Sequence, residues 1–213
     1  TGLWQELEKY YKGRQWTEAE KPEPAIAGTE TAESFSIKLE QILPWQDGQY
    51  AEVFLGIRDY DEISGKMSEE VKNSLLYHLG THIQKHLKGQ EMVCHVKKDE
   101  FLLLLDNHVE AAPEKIGHIM IMFEAMISNK YPDVPIKLYS GIYYLESRGY
   151  RPEEIFRIGK TLKNKAKRYC TVENSIYENR KSAGNVIDKE AGILNRGNLT
   201  RLKNFLNRAA EGE

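Results

Sequence analysis

The sequence predicts an α/β fold: a mixed, mainly antiparallel sheet with a central β-hairpin and helices packed on it. Three observations carry this reading. Strand-like runs alternate with amphipathic helical stretches from about residue 50 to residue 180. Two apolar runs, Met92 to Val96 and Phe101 to Leu105, are separated only by Lys97-Lys98-Asp99-Glu100, the spacing of a tight hairpin. Glycine and proline punctuate the helical stretches, Gly89 after one and Pro152 at the start of another.

Taken in order, Leu3 to Tyr11 spaces apolar groups as a short amphipathic helix and stops at Gly13. Thr17 to Ser34 is rich in Glu, Thr, Ala and Pro, too poor in large apolar groups to offset the entropy of ordering, and reads as an exposed linker or loop. Packed sequence begins near Phe35, where SIKLEQIL gives a helical turn or two before Pro44. Tyr50 to Ile57 is a strand, with Val53, Leu55 and Ile57 on one face and Phe54 on the other. Met67 to Leu87 is a long helix with a buried stripe of Val71, Leu75, Leu79, Ile83 and Leu87. The second hairpin run is apolar throughout and should be an interior strand. Pro113 to Ser128 is a helix, Ile136 to Tyr144 a strand, Pro152 to Lys167 a helix and Ser175 to Tyr177 a short strand. The order β-α-β-β-α-β-α-β with a hairpin in the middle describes a ferredoxin-like, palm-type sheet.

Composition narrows the function classes. Lys plus Arg number 30 against 32 for Asp plus Glu, so no global positive excess exists to hold a nucleic acid polymer or an anionic membrane. A small ligand or a protein partner is favoured. The two cysteines, Cys94 and Cys170, form no CxxC, which argues against a disulfide framework and a structural zinc site and fits a cytoplasmic setting. No run approaches the roughly 18 apolar residues that a membrane span needs, and the N-terminus carries no signal-peptide pattern.

At the hairpin, Cys94 to Leu105 (CHVKKDEFLLLL) resembles the R-x-GGDEF-x-x-L-L hairpin of diguanylate cyclases, with KKDEF in place of GGDEF and His95 in place of arginine. Val53 to Ser64 (VFLGIRDYDEIS) resembles the family's LLDIDxFKxIN strand and turn, Leu138 to Tyr143 (LYSGIY) its VSIGI strand, and Ile155 to Lys167 its last helix with the closing Ala-Lys pair. The similarity runs through roughly residues 50 to 180. It divides the chain into an N-terminal helix and acidic linker (1–45), a degenerate GGDEF domain (46–180) and a C-terminal extension (181–213). In that extension Asp188 to Arg196 resembles D-x-L-T-G-L-x-N-R, the turn that introduces such domains, as if a second repeat of a larger parent protein began there.

The resemblance implies a chemistry and marks what is missing from it. In the family each domain holds one GTP, and two facing domains join their nucleotides into cyclic di-GMP with the help of metal ions that stabilise developing charge. Magnesium is held by few protein carboxylates, so each one matters. At the first strand's carboxylate position this chain has Gly56, and the motif's second Asp is Arg58; Asp59 and Asp61 lie near but out of register. Asp99 and Glu100 remain as candidate ligands of a single weak magnesium site. Glycines would let the hairpin approach a triphosphate and adopt positive φ; Lys97 and Lys98 crowd that approach yet attract phosphate. Guanine would be read at Ser64 and Asn73, neither of which supplies the usual carboxylate, and Lys167 matches a phosphate-contacting lysine. The product-site motif R-x-x-D corresponds to Lys88-Gly89-Gln90-Glu91, where lysine cannot make arginine's planar two-point contact.

Other constellations carry less. His78, His82 and His86 recur on one side of the long helix, where pairs could share a transition metal, but a solvated helix edge is the simpler reading. Gly159-Lys160-Thr161 resembles the end of a P-loop but lies inside a helix with Glu154 where the glycine belongs. The basic run Lys160 to Arg168 suits phosphate or a solvated face. The expectation is therefore a catalytically impaired GGDEF-type domain, a regulatory, nucleotide-sensing or dimerising module for GTP or cyclic di-GMP and neighbouring domains, with homodimers expected. The alternative is an active diguanylate cyclase with an altered signature, using Mg with GTP.

Overall fold

The structure is a computed structural model and describes residues 26, 29–42, 50–108, 110–132, 134–145 and 150–179. Its elements are α1 (Ala32–Ile42), β1 (Tyr50–Ile57), α2 (Tyr60–Ser64), α3 (Glu69–His86), β2 (Met92–Lys97), β3 (Glu100–Asp106), α4 (Ala112–Lys130), β4 (Leu138–Tyr144), α5 (Pro152–Tyr169) and β5 (Ile176–Asn179). Five strands form one sheet ordered β2-β3-β1-β4-β5. β1 runs antiparallel to β3 and β4, β2 is antiparallel to β3, and β5 is parallel to β4. This is the mixed, mainly antiparallel sheet the sequence predicts.

Every residue of β1 is buried, because the strand has a partner on each side and helices over both faces. Val53, Leu55 and Ile57 face the layer of α3 and α4, packing with Leu75, Leu79 and Ile83 and with Ile116, Ile119 and Phe123. The opposite face is covered by α1 and α5, where Phe35 and Leu39 join Leu102, Leu104 and Ile155. Phe54, Tyr139, Leu162 and Ala166 continue that layer toward the end of α5. Fully burying one such large apolar side chain contributes about 1.5–3 kcal/mol.

Helix α3 begins at Glu69, two residues after Met67, because the Ser68 side chain caps it by accepting the Val71 N–H at 3.3 Å. It ends at His86, and Gly89 takes the left-handed φ of +59° in the turn that follows. Hairpin strands β2 and β3 reach Lys97 and Glu100, leaving Lys98-Asp99 as a two-residue tip. β3 is interior, β1 is the middle strand, and β2 lies toward one side with Glu30 bridging to Cys94 along its outer edge.

Two differences from the sequence reading concern the N-terminal part. The Thr17 to Ser34 stretch read as linker already carries order at its end: Glu30 N–H donates to Val93 O at 2.8 Å, and α1 starts at Ala32. Phe35 and Leu39 are 0 % exposed, so packing begins near Phe35 as the sequence predicts, and the helix there is longer than the one or two turns expected. The helix expected over Leu3 to Tyr11 and the extension over 181–213 lie outside the described residues. Among those described, no helix is long and apolar enough to cross a membrane.

The histidines are arranged differently from a simple solvated edge. Half-buried His82 donates from Nε2 to Ile119 O on α4 at 3.0 Å, and His86 donates from Nδ1 to His82 O at 2.9 Å. Burial pulls His82 down to about 4. Both thiols are free and buried, and desolvation pushes Cys94 up to about 12 and Cys170 to about 11, so they behave as small core residues.

Candidate functional site

A cleft of about 450 Å³ opens where the end of β1, helix α2, the hairpin tip, the start of β4 and helix α5 meet. Lys97, Lys98, Asp99, Glu100 and Lys167, all read from the sequence, line it together with Arg58, Asp61, Tyr139 and Lys163. Ser64 and Asn73 are not among its lining residues: Ser64 closes the short α2 with its hydroxyl 3.4 Å from Asp61 O, and Asn73 is exposed on α3.

The tip holds its shape without glycine. Lys98 sits at φ +46°, a left-handed conformation that costs a residue with a Cβ about 1 kcal/mol or more. Three contacts fix it there. His95, in β2, donates from Nε2 to Lys98 O at 2.7 Å. The Lys98 ammonium meets Asp61 Oδ1 at 2.9 Å, which holds that carboxyl below and the ammonium above their ordinary values. Asp99 turns inward, its Oδ2 accepting Ile57 N–H at 2.8 Å.

That inward turn decides what the two signature acids can do. Asp99 is 9 % exposed, and burial pushes its carboxyl up to about 6 against the pull of the Ile57 hydrogen bond. Glu100 is clasped by Lys163 from α5. Next to them, where the sequence lacks the first-strand acid, Gly56 pairs across the sheet with Tyr139. A Cβ on Gly56 would stand 3.0 Å from the rings of both Phe54 and Tyr139 and 3.3 Å from Asp99 Oδ2. Aromatic side chains therefore occupy the space beside Asp99. Arg58, at the cleft wall, is held by the end of α5: its guanidinium donates to Cys170 O at 3.3 Å and Thr171 O at 2.9 Å and lies over the Tyr139 ring.

A magnesium ion does not fit this donor set. It needs near-octahedral oxygen coordination with free carboxylates, whereas Asp99 is spent on a backbone amide, Glu100 on an ammonium, and the third position has no side chain. Among the described residues, no group of three or more His, Cys, Asp or Glu is arranged to hold a metal ion.

The expected product-site pair is also absorbed elsewhere. Glu91 is buried, accepting Lys88 N–H at 2.7 Å and Asp106 N–H at 3.1 Å and pairing with Lys115 of α4, whose side chain is 3 % exposed. Lys88 is exposed on the loop, so only its backbone meets Glu91. A sequence reading could not find Lys115, Lys163 or Tyr139 for these roles; each acts across the sheet or from a distant helix. Glu52 carried a local signal, an acid within an otherwise apolar strand. It is 0 % exposed beneath α5, and neither carboxyl oxygen meets hydrogen-bond geometry with a partner among the described residues.

Comparison with known proteins agrees with this fold. The family model described as "Diguanylate cyclase, GGDEF domain" matches residues 32–170, and the chain belongs to that family. No curated protein matches it. Among solved structures, the chain is similar to the diguanylate cyclase SiaD of Pseudomonas aeruginosa, solved with its activator SiaC, at 14% identity and a TM-score of 0.54. That alignment covers 78% of this chain and 63% of SiaD, so the chain spans less than two thirds of that protein's length. The GGDEF domain of YfiN (TpbB) from the same organism aligns at 18% identity and a TM-score of 0.51 over 71% of this chain and 94% of that one. The coiled coil and GGDEF domain of DgcB from Caulobacter crescentus, solved with c-di-GMP, aligns at 11% identity and a TM-score of 0.55, covering 83% and 92%. At these identities the likeness establishes the shared fold.

Proposed function

We propose that this domain makes no cyclic di-GMP and serves as a regulatory module in cyclic di-GMP signalling, one that senses GTP or cyclic di-GMP, or pairs with a second copy, and passes that state to neighbouring domains of a larger cytoplasmic or membrane-anchored protein. The observation that carries the reading is the pairing of Gly56 with Tyr139 beside an inward-turned Asp99. Joining two nucleotides requires metal-stabilised charge on the transferring phosphate, and here the two signature acids are engaged, Asp99 with the Ile57 amide and Glu100 with Lys163, while the first-strand position carries Gly56. The family membership supplies the signalling setting. Lys97, Lys98 and Lys167 line the cleft as the groups for phosphate, whereas Ser64 and Asn73 lie outside it, which points to weak discrimination among bases.

The test is turnover. Purified protein incubated with GTP and Mg²⁺ or Mn²⁺ should give no cyclic di-GMP by chromatography. Product formed in proportion to protein would establish the opposite reading, an active diguanylate cyclase working through Asp99 and Glu100.

A further inference from the structure

We infer that the cleft takes a polyphosphate free of divalent metal, its charge met by lysine ammonium groups; this rests on the nucleotide-sensing reading above and specifies the form of the ligand. The place beside Asp99 is filled by the Phe54 and Tyr139 rings, so a metal-bound phosphate has no seat there. The same cleft is lined by Lys97, Lys98, Lys163 and Lys167. Ammonium groups bind phosphate as point charges and need no fixed coordination geometry.

At rest this positive charge is masked. The lining contains five cationic side chains, Arg58 and the four lysines, against five acidic ones. Asp61 holds Lys98 and Glu100 holds Lys163, while Lys97 and Lys167 form no ion pair among the described residues. An incoming polyphosphate meets the two unpaired lysines first and then competes with Asp61 and Glu100 for the other two. Asp61 and the signature's Glu100 thus oppose the ligand, where in a metal-assisted site such carboxylates would recruit it. Removing one should tighten binding, and magnesium, by neutralising the phosphates before they arrive, should weaken it.

The experiment is calorimetric titration of the full chain with inorganic triphosphate and with GTP, in EDTA and in excess Mg²⁺, for the parent, Asp61→Asn, Glu100→Gln and Lys163→Gln. Asp61 is exposed, so its variant keeps the fold in hand even where the partly buried Glu100 variant does not. The inference expects binding in EDTA, weaker binding in Mg²⁺, about five-fold tighter binding for Asp61→Asn and Glu100→Gln, and a similar loss for Lys163→Gln, the change that one solvated charge contact at ~4 Å makes. Binding that requires Mg²⁺, or that Glu100→Gln and Asp61→Asn weaken, overturns the inference and leaves the regulatory reading standing. No binding of either anion overturns it and removes GTP sensing as well. Cyclic di-GMP in the GTP samples overturns the reading on which it rests.

Discussion

The ring of Tyr139 lies 3.0 Å from the point a Cβ on Gly56 would occupy. The two residues are direct partners in the antiparallel β1–β4 ladder, so the aromatic side chain covers the bare backbone of its neighbour, a known way for sheets to shelter a glycine.

Restoring the missing acid should therefore fail by itself. Gly56→Asp forces Phe54 and Tyr139 aside and places a second carboxylate against Asp99, and overpacking of this kind costs about 1–3 kcal/mol. Urea denaturation should show that loss, and Gly56→Asp combined with Tyr139→Ser should recover a good part of it. A single variant as stable as the parent would mean that the rings do not fill the position.

Glu52 predicts an unusual pH dependence. Burial raises its carboxyl well above the ordinary 4.5, and the nearby backbone of Gly159 offsets only a little of this. The folded chain then holds the proton more tightly than the unfolded chain. The associated stability is complete below the unfolded value and drains away as pH rises toward the folded one. Glu52→Gln should flatten the stability curve above about pH 4.5. Glu52→Leu should stabilise the neutral-pH protein by about 1–3 kcal/mol, since it removes a buried group that lacks a partner. A parent that gains stability between pH 5 and pH 8 relative to Glu52→Gln would contradict this.

Lys115 and Glu91 form an ion pair between α4 and the start of β2, with side-chain exposures of 3 % and 1 %. Lys115→Met strands the carboxylate and should cost about 3–5 kcal/mol, visible as a large drop in thermal midpoint. A loss below about 1 kcal/mol would place the pair in water.

At Gly159, inside α5, an added Cβ would come within 2.7 Å of Leu102 Cδ1 and 3.0 Å of Glu52 Oε1. Gly159→Ala should destabilise the protein even though alanine favours the helix by about 1 kcal/mol. The clash is relieved by shortening its partner, so Leu102→Val in the same chain should soften the effect measured by chemical denaturation.

The sheet and its helices were legible because their signals are local. Val53, Leu55 and Ile57 alternate, Leu75, Leu79 and Ile83 repeat at helical spacing, and only a two-residue tip separates β2 from β3. Helix α2 was missed, being five residues long and too short for a period to register. The start of α1 was hidden because Phe35 and Leu39 are its main buried apolar anchors in a polar stretch. Of the site, the sequence located the hairpin residues and Lys167, and the absence of an acid at position 56. It could not say what fills that absence, since Tyr139 arrives by strand pairing, nor that Glu91 is neutralised from α4 or Glu100 from α5. Such contacts join residues remote along the chain and leave no trace in spacing.

The bridge from Glu30 to Cys94 gives the upstream segment a grip on β2, the strand that runs on to Lys97 and the Lys98 turn. Any displacement of the chain at Glu30 therefore acts on the outer strand of the hairpin through the Glu30 N–H to Val93 O bond, so the approach to α1 and the strand that carries the lysine tip share one hydrogen-bonded seam.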